Sequence, residues 1–145
     1  TKKLLFNCIV EPITTYGAET WTLTQRKKQK LQAVEMDFFR RSCRVSRLEH
    51  ITNDRIKERS QIKDTIVERI EQRQLIWFGH VMRMGEERLP RRAAEYHPPN
   101  RRKRGRPAHT WRKGIEEAMR KRDLREEDWH DRKLWRVKCG KRQQL

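Results

Sequence analysis

The chain has 145 residues, of which 37 are Lys or Arg and 20 are Asp or Glu, so its formal net charge is +17. This length accommodates one compact domain or two very small ones and excludes a large multidomain enzyme. Because only 34% of the residues are hydrophobic, we expect a thin core, to which five tryptophans add apolar area. No apolar run in the sequence is long enough to span a bilayer. Three widely spaced cysteines, at positions 8, 43 and 139, suit a reducing compartment better than a disulfide framework.

The positive charge is concentrated in one segment. Residues 88–113 carry ten basic side chains and one acidic side chain, a net of +9, whereas residues 61–87 carry four and five, a net of −1. Such a dense cluster repels itself unless a polyanion neutralises it, which favours RNA or DNA as the partner. An anionic membrane surface is the lesser alternative, because no apolar face accompanies the cluster, and we predict no membrane partner.

The first two predicted helices follow from apolar spacing. Apolar residues between Leu4 and Tyr16 recur at helical intervals, and Pro12 predicts a kink or break near Val10. Thr24 is a predicted cap for a second helix. Its apolar face is assigned to Leu31, Val34 and Phe38, and its opposite side carries Arg26, Lys27, Lys28 and Lys30.

Two further helices are predicted before residue 85. A short one begins at Thr52 or Asn53, ends near Ser60 and has Ile56 as its apolar anchor. The longest helix of the chain is predicted over residues 62–84, from apolar spacings of three or four residues, with Gly85 as its stop.

The last third of the sequence combines a basic linker with two helices. Leu89 and Pro90 predict a short helical turn that ends at Tyr96, and a Pro- and Arg-rich extended segment follows. Thr110 is a predicted cap for a helix with Trp111, Ile115, Ala118 and Met119 on one face, and a final helix is predicted over residues 126–138.

The predicted fold class is therefore all-α. It comprises a small helical bundle over residues 1–85, a basic extended linker over 86–107 and a C-terminal helical pair over 108–145.

No catalytic or metal-binding constellation is predicted. The acidic residues alternate with bases on helix faces, and the Glu126-Glu127-Asp128 run suits a helix N-terminus better than a metal site. Zinc needs Cys or His pairs at short spacing, which Cys43, His50 and Cys139 do not provide. We expect Cys8 and Cys43 to be small core residues.

The sharpest binding signal lies at residues 101–107. Two arginines that flank a glycine before a proline can lie extended in a narrow A·T minor groove, so the string resembles the core of an AT-hook. The same residues also suit non-specific phosphate binding, which we rank first, or a nuclear-import signal, which we rank third.

Some aromatic side chains are predicted to lie in the core and others to be exposed at the surface. Trp77 and Trp111 fall on apolar helix faces and are predicted core residues, while Trp21 or Tyr96 could stack bases beside basic side chains. Gly79, inside a helix, indicates close packing. His80 could contact a phosphate or a base, but a histidine in such a position is more often packed and hydrogen-bonded.

Short sequence strings that are informative in their order extend over nearly the whole chain. The first is Tyr16-Gly17-Ala18-Glu19-Thr20-Trp21. The strings that follow are Glu35-Met36 with Arg40-Arg41, Ile51-Thr52-Asn53, Trp77-Phe78-Gly79-His80-Val81 with Arg83-Met84, Arg88-Leu89-Pro90, Pro98-Pro99, Arg104-Gly105-Arg106-Pro107, Thr110-Trp111-Arg112, and Asp131-Arg132 with Trp135-Arg136. In this order the strings resemble LINE-type, non-LTR retrotransposon endonuclease–reverse transcriptases, whose Y-G-x-E-T-W segment is similar to residues 16–21.

The resemblance implies that the chain corresponds to the thumb helices and C-terminal segment of such an enzyme. It implies target-primed reverse transcription by the parent, with the polymerase palm as an upstream partner. Catalytic residues and Mg²⁺ then belong to the upstream polymerase and endonuclease domains, and this chain needs no cofactor. The expected location is nuclear, and also cytoplasmic as an element ribonucleoprotein. The first methionine is Met36, which agrees with a fragment, a trimmed chain or a degenerate copy.

Two alternatives stay open beside a non-catalytic reverse-transcriptase region. They are a stand-alone AT-hook-like architectural DNA-binding protein and a remnant without present function. The residues predicted to contact nucleic acid are Arg26, Lys27, Lys28, Lys30, Arg101, Arg102, Lys103, Arg104, Gly105, Arg106, Arg112 and Lys113. The family-motif residues predicted to be structural are Tyr16, Gly17, Trp21, Trp77, Phe78, Gly79, His80, Trp111, Arg132 and Trp135.

Overall fold

The computed structural model describes residues 2–96 and 109–140. In these two ranges the regular elements are helices, with no strand, which confirms the all-α prediction. Backbone contacts group the chain into two compact units, Thr1–Ala18 with Leu23–Ile70, and Glu19–Thr22 with Glu71–Leu145. Within the described ranges, no helix combines the length and apolar character that crossing a bilayer requires.

A widened helical turn lies at the start of the first unit. Helix α1 (Lys2–Leu5) and helix α2 (Glu11–Thr14) are joined by a π-helical turn over Phe6–Val10. The amide of Glu11 donates to the carbonyl oxygen of Phe6, five residues back. Because Pro12 lacks an amide hydrogen, it cannot continue the regular α-helical bonding pattern. The interruption predicted near Val10 is thus confirmed as a widened turn within a continuous helical segment.

Helix α3 (Gln25–Ser42) begins as predicted, but its buried face is different. The Thr24 side chain accepts a hydrogen bond from the amide of Lys27, at 3.4 Å. The buried residues are Glu35, Met36 and Phe39, whereas Val34 is exposed. The face predicted from Leu31, Val34 and Phe38 is therefore wrong by about one residue. The buried face is shifted because the Glu35 carboxylate has partners inside the unit, so a charged residue occupies the buried side.

Helix α4 (Asn53–Ser60) matches its prediction and buries Ile56 completely. The core of the first unit also contains a cluster of three phenylalanine rings. The Phe6 centroid lies 5.0 Å from that of Phe38 and 4.9 Å from that of Phe39. These separations and the tilted rings are those that aromatic pairs favour.

Helix α5 (Ile66–Met82) is shorter than predicted. It begins after Thr65, whose hydroxyl accepts a bond from the amide of Glu68 at 3.4 Å, while the Glu68 carboxylate accepts one from the amide of Thr65 at 2.8 Å. This reciprocal pair is a capping box, which defines a helix start. The predicted start at residue 62 and end at residue 84 are wrong, and α3 exceeds α5 by one residue.

The second unit contains the rest of α5 with helices α6 (Leu89–Glu95), α7 (Trp111–Arg120) and α8 (Arg132–Gly140). Helices α6 and α7 agree with their predictions, and Thr110 caps α7 by accepting a bond from the amide of Lys113 at 3.3 Å. Trp111 and Trp129 pack at the edge of the core cluster. Its buried members are Leu75, Phe78, Met82, Ile115, Ala118, Met119, Leu124, Trp135 and Cys139.

The final predicted helix is two elements in the structure. A 3₁₀ turn covers Glu126–His130, and α8 begins after Asp131. The Asp131 carboxylate accepts bonds from the amides of Lys133 and Leu134, at 2.8 and 3.0 Å. An aspartate in this role stops any preceding helix and starts a new one, so the single helix predicted over 126–138 is wrong.

The predicted division at residues 85 and 107 stays a prediction. Half of the predicted linker lies outside the described residues, because 97–108 are not described. The expectation that Cys8 is a core residue is wrong, since Cys8 is exposed, and Cys43 is half-buried.

Candidate nucleic-acid interface

The first half of α3 presents a basic outer face. Arg26, Lys27 and Lys30 are exposed, and Lys28 is half-buried. At about 100° per residue, Arg26, Lys27 and Lys30 fall on the side of α3 opposite its buried residues. Lys28 lies toward the buried side. Three of the four predicted contacts on α3 therefore share one exposed side of the helix.

Acidic residues of α3 do not neutralise this face. Glu35 is fully buried, and Asp37 pairs with Arg41 at 2.9 Å and with Arg47 at 2.8 Å. Both acids lie in the second half of the helix, after the basic face has ended. The N-terminal half of α3 thus contains basic residues and no acidic one, and basic side chains of this kind can bind a phosphate backbone.

The most basic predicted segment is outside the described residues. Residues 101–106, with their predicted AT-hook-like core, belong to the undescribed range 97–108. The prediction that Arg101, Arg102, Lys103, Arg104, Gly105 and Arg106 contact nucleic acid stays a prediction.

The two predicted contacts on α7 differ in their surroundings. Lys113 is exposed. Arg112 is half-buried, pairs with Glu116 at 3.4 Å and Glu126 at 3.2 Å, and lies 4.9 Å above the ring centroid of Phe78. These contacts hold the Arg112 guanidinium inside its own unit and neutralise it there, so Lys113 is the more accessible cation of the pair.

Residues 19–22 contact α5 and α7 within the second unit. The indole nitrogen of Trp111 donates to the carbonyl oxygen of Glu19 at 2.8 Å, and the amide group of Gln74 donates to the carbonyl oxygen of Trp21 at 2.9 Å. Trp21 is half-buried. Residues 19–22 are in this way anchored to α5 and α7 through backbone acceptors.

The segment just before it bends at Gly17. Gly17 has a φ of +65°, which glycine adopts at little cost and other residues rarely adopt. Tyr16 is 87% exposed and Tyr96 68% exposed. Both tyrosine rings are thus accessible to a partner, whereas Trp21 offers only part of its surface.

The Trp77-Phe78-Gly79-His80 string has two faces. Phe78 is fully buried and Gly79 is buried, whereas Trp77 is half-buried and His80 is exposed, with their rings 5.6 Å apart. Trp135 is buried, and its indole nitrogen donates to the carbonyl oxygen of Leu75 at 2.9 Å. The string therefore anchors α8 on one side of α5 and leaves an accessible histidine on the other.

Sequence reasoning missed an exposed basic face on α8. Lys133 and Arg136 are exposed, as is Arg132, which was predicted as a structural motif residue. The signal was present in the sequence, because Arg132–Gly140 contains four basic residues and no acidic one.

The described residues include no group of three or more His, Cys, Asp or Glu side chains that could hold a metal ion. The described surface presents exposed cations on helix faces. Such a surface can bind a polyanion through its backbone charge.

The described part of the chain is a small all-α scaffold with exposed basic helix faces. No protein-family model matches the chain, and no solved structure matches it. The chain is similar to a Caenorhabditis elegans protein named as transposon-derived, with 29% identity over 143 residues, which is 90% of this chain and 51% of that protein. The chain thus spans about half the length of this curated relative. The similarity supports a transposon origin for the chain.

Proposed function

We propose that this chain is a nucleic-acid-binding, non-catalytic C-terminal part of a retrotransposon reverse transcriptase. In this role it grips template RNA–primer duplex or target DNA through backbone contacts during target-primed reverse transcription. The observation that carries the proposal is the exposed basic outer face of α3, formed by Arg26, Lys27 and Lys30. The transposon-derived relative and the ordered family strings support the retroelement assignment.

The proposal extends to the parent protein and its location. The polymerase palm precedes this region in the parent and supplies the carboxylates that bind Mg²⁺. Chemistry belongs to that upstream part, and this chain contributes binding. The element acts in the nucleus and travels through the cytoplasm as a ribonucleoprotein.

Salt dependence of binding tests the proposal. If about eight phosphates are neutralised, log K falls with log salt concentration at a slope of roughly −6 to −7, measured by fluorescence anisotropy with labelled duplexes. In Arg26→Gln/Lys27→Gln/Lys30→Gln, three lost contacts make the slope less negative by about 2 to 3. The matched control is Arg55→Gln/Arg59→Gln/Lys63→Gln, which removes three exposed cations elsewhere in the same unit. A slope near zero for the unmodified chain contradicts the proposal.

Activity provides a second test. The isolated chain, supplied with Mg²⁺ and a primer–template, is expected to incorporate no nucleotide, because its proposed role is binding alone. Measurable incorporation would show that the polymerase boundary has been assigned wrongly.

A second candidate function is supported by the Arg104-Gly105-Arg106-Pro107 string. It is a stand-alone architectural protein that binds A·T-rich minor grooves, where glycine permits close approach and the groove attracts arginine. Strong displacement from A·T-rich duplex by a minor-groove ligand favours this candidate. Preference for RNA–DNA hybrid or structured RNA favours the reverse-transcriptase region.

A further inference from the structure

The exposed cations of α8 have no acidic neighbours on their own helix. Arg132, Lys133 and Arg136 are exposed, and none forms an ion pair within residues 2–96 and 109–140. The fourth cation, Lys138, pairs with Asp128 at 2.8 Å. The carboxylate of Asp131 is exposed at the start of the helix, where it accepts bonds from two amides of the first turn. Three cations therefore remain uncompensated along the helix.

Buried contacts fix which side of α8 faces outward. The indole of Trp135 bonds to the carbonyl oxygen of Leu75 on α5, and the Nε of Arg122 donates to the carbonyl oxygen of Cys139 at 3.0 Å. Trp135 and Cys139 are each 1% exposed. With this side held inward, Arg132, Arg136 and Lys133 occupy an arc of about 100° along one flank of the helix, which begins beside the buried side and ends on the outer side.

Contacts along α5 show that α8 runs antiparallel to it. A Cβ on Gly140 would lie 3.3 Å from Nε2 of Gln72, and the Trp135 indole lies against Gly79, seven residues further along α5. The next step in this direction brings Arg132 toward Arg83, just after the end of α5. The two ends that meet there both carry a guanidinium group.

Arg83 is held at that position by the turn before α8. Its Nη1 donates to the carbonyl oxygen of Trp129 at 2.7 Å, and the side chain is half-buried. Burial lowers the pKa of Arg83, and the positive charge of Arg132 lowers it further. The two cations are thus close enough to repel each other, and an anion that binds both relieves this repulsion.

We infer that Arg83, Arg132, Lys133 and Arg136 form a second phosphate-binding surface that contacts a nucleic-acid backbone. This α8 surface rests on the proposed function and adds a contact region in the second unit. Arg132 and Arg136 are separated by about 6 Å along the helix axis. Phosphates of one strand advance by about 3.4 Å per nucleotide along a duplex axis, so two phosphates that are two nucleotides apart match this separation, and both guanidinium groups can engage one strand.

The test compares two double variants of the full chain. Arg132→Gln/Arg136→Gln removes two cations one turn apart on α8, and Arg55→Gln/Arg59→Gln removes two exposed cations with the same spacing on α4. Affinities for labelled DNA duplex, RNA–DNA hybrid and single-stranded RNA are measured by fluorescence anisotropy from 0.05 to 0.5 M NaCl. Far-UV circular dichroism and thermal melting establish that each variant is folded.

We expect the α8 variant to bind about ten- to fortyfold more weakly near 0.1 M salt, with a salt slope less negative by about 1.4 to 1.8. The α4 control changes the slope by less than 0.5, because its cations lie off the proposed surface. Arg132→Lys/Arg136→Lys, which preserves the charge, restores most of the affinity. The nucleic acid most affected identifies the source of the phosphates.

The outcomes separate the two proposals. If the α8 variant and the α4 control bind alike while the α3 triple variant is weakened, the α8 surface is wrong and the proposed function stands. If the α8 variant alone is weakened, the α8 surface stands and the α3 interface is wrong. If the unmodified chain binds none of the three nucleic acids, both the proposed function and the α8 surface are wrong. The same conclusion holds if the chain binds an acidic protein instead.

Discussion

Gly79 allows the indole of Trp135 to reach the backbone of α5. A Cβ at this position would overlap the indole ring, and the ring nitrogen bonds to the carbonyl oxygen of Leu75 at 2.9 Å. Glycine costs about 1 kcal/mol relative to alanine inside a helix. The close approach of a buried tryptophan explains why this cost is accepted here.

Replacement of Gly79 by alanine is therefore expected to destabilise the fold despite the better helix propensity. Overpacking against Trp135 and loss of its buried hydrogen bond outweigh the propensity gain, for a net loss of about 1–3 kcal/mol in the free energy of unfolding. The matched control is Gly114→Ala on α7, where the new Cβ would meet an atom no closer than 3.6 Å. That variant is expected to gain up to about 1 kcal/mol. Urea denaturation measures both, and equal signs for the two variants would contradict the explanation.

The three cysteines differ in accessibility, so we expect them to differ in reactivity toward thiol reagents. Burial raises the pKa of the Cys139 thiol to about 12, against the nearby positive charges of Arg122 and Arg83. Since the thiolate is the reactive form, Cys139 stays unreactive from pH 7 to pH 9 in the folded chain. Cys8 is exposed and is expected to react with an aromatic disulfide reagent within minutes.

Mass spectrometry of the labelled chain, before and after addition of urea, checks this. Label at Cys8 is expected in the folded state, and label at Cys139 only after unfolding. The Cys8→Ser variant serves as the control for assignment of the fast phase. Fast labelling of Cys139 in the folded chain would show that the core of the second unit is open to solvent.

Helices α2, α3 and α5 meet at a buried charged network in the first unit. Arg69 on α5 binds Glu11 at 3.0 Å and Glu35 at 3.2 Å, and Glu35 also accepts the amide of Ile66 at 2.9 Å. The second carboxylate oxygen of Glu35 is buried without a hydrogen-bond partner within the described part of the chain. One guanidinium thus serves two carboxylates, and burial of an ionised pair is costly.

This network predicts how stability depends on pH. Burial raises the pKa of Glu35 above its usual value near 4.5, despite the amide of Ile66 and the positive charge of Arg69, which lower it. Because the folded state then binds the proton more tightly than the unfolded state, the free energy of unfolding decreases as pH rises from about 4.5 through the folded-state pKa. The contribution is fully present at acidic pH below 4.5.

Glu35→Gln removes this titration, so its urea midpoint is expected to vary less over that pH window than the midpoint of the unmodified chain. Glu58→Gln, an exposed substitution on α4, is the control and leaves the pH dependence unchanged. A steeper pH dependence in Glu35→Gln than in the unmodified chain would refute the assignment.

Helix boundaries were predictable where the sequence places a recognised cap next to an apolar run. Thr24 and Thr110 fulfil this condition, and both cap helices at the expected residues. The start of α5 was missed because apolar periodicity extended the helix past its cap at Thr65. The start of α8 was missed because the acidic run at residues 126–128 was interpreted as the N-terminus of the helix, ahead of the cap at Asp131.

Faces were harder to predict than boundaries. The α3 pattern placed Val34 inside and did not include Glu35 in the buried face, because apolar spacing does not show that a carboxylate has buried partners. Those partners, Ile66 and Arg69, are more than 30 residues away along the chain. A contact of this kind depends on tertiary structure and gives no local signal.

For the whole molecule, the total charge was predictable from the sequence. Which cations form internal ion pairs and which are exposed was not. The sequence indicates a polyanion partner from the net charge of +17. It does not show that Arg112 is paired internally while Arg132 and Arg136 are exposed and uncompensated. Since these two classes of arginine look alike in the sequence, the candidate contacts could be assigned to helices but not to accessible faces.

The same net charge predicts opposite effects of salt on folding and on binding. With 37 basic and 20 acidic side chains, repulsion among cations opposes the compact state, and added salt screens it. The melting temperature is therefore expected to rise from 0.05 to 0.5 M NaCl, while nucleic-acid affinity falls over the same range. Surface ion pairs such as Asp37 with Arg41 weaken with salt, but exposed pairs contribute little.

Thermal melting followed by circular dichroism measures the first effect, and anisotropy measures the second. A short polyphosphate at 0.05 M NaCl is expected to raise the melting temperature, because it binds the folded basic faces and neutralises them. That rise should vanish at 0.5 M NaCl. Arg55→Gln/Arg59→Gln, which lowers the net charge by two, should show a smaller salt-induced rise than the unmodified chain. A melting temperature that falls with added NaCl would mean that ion pairs, and not repulsion among cations, dominate the stability of the molecule.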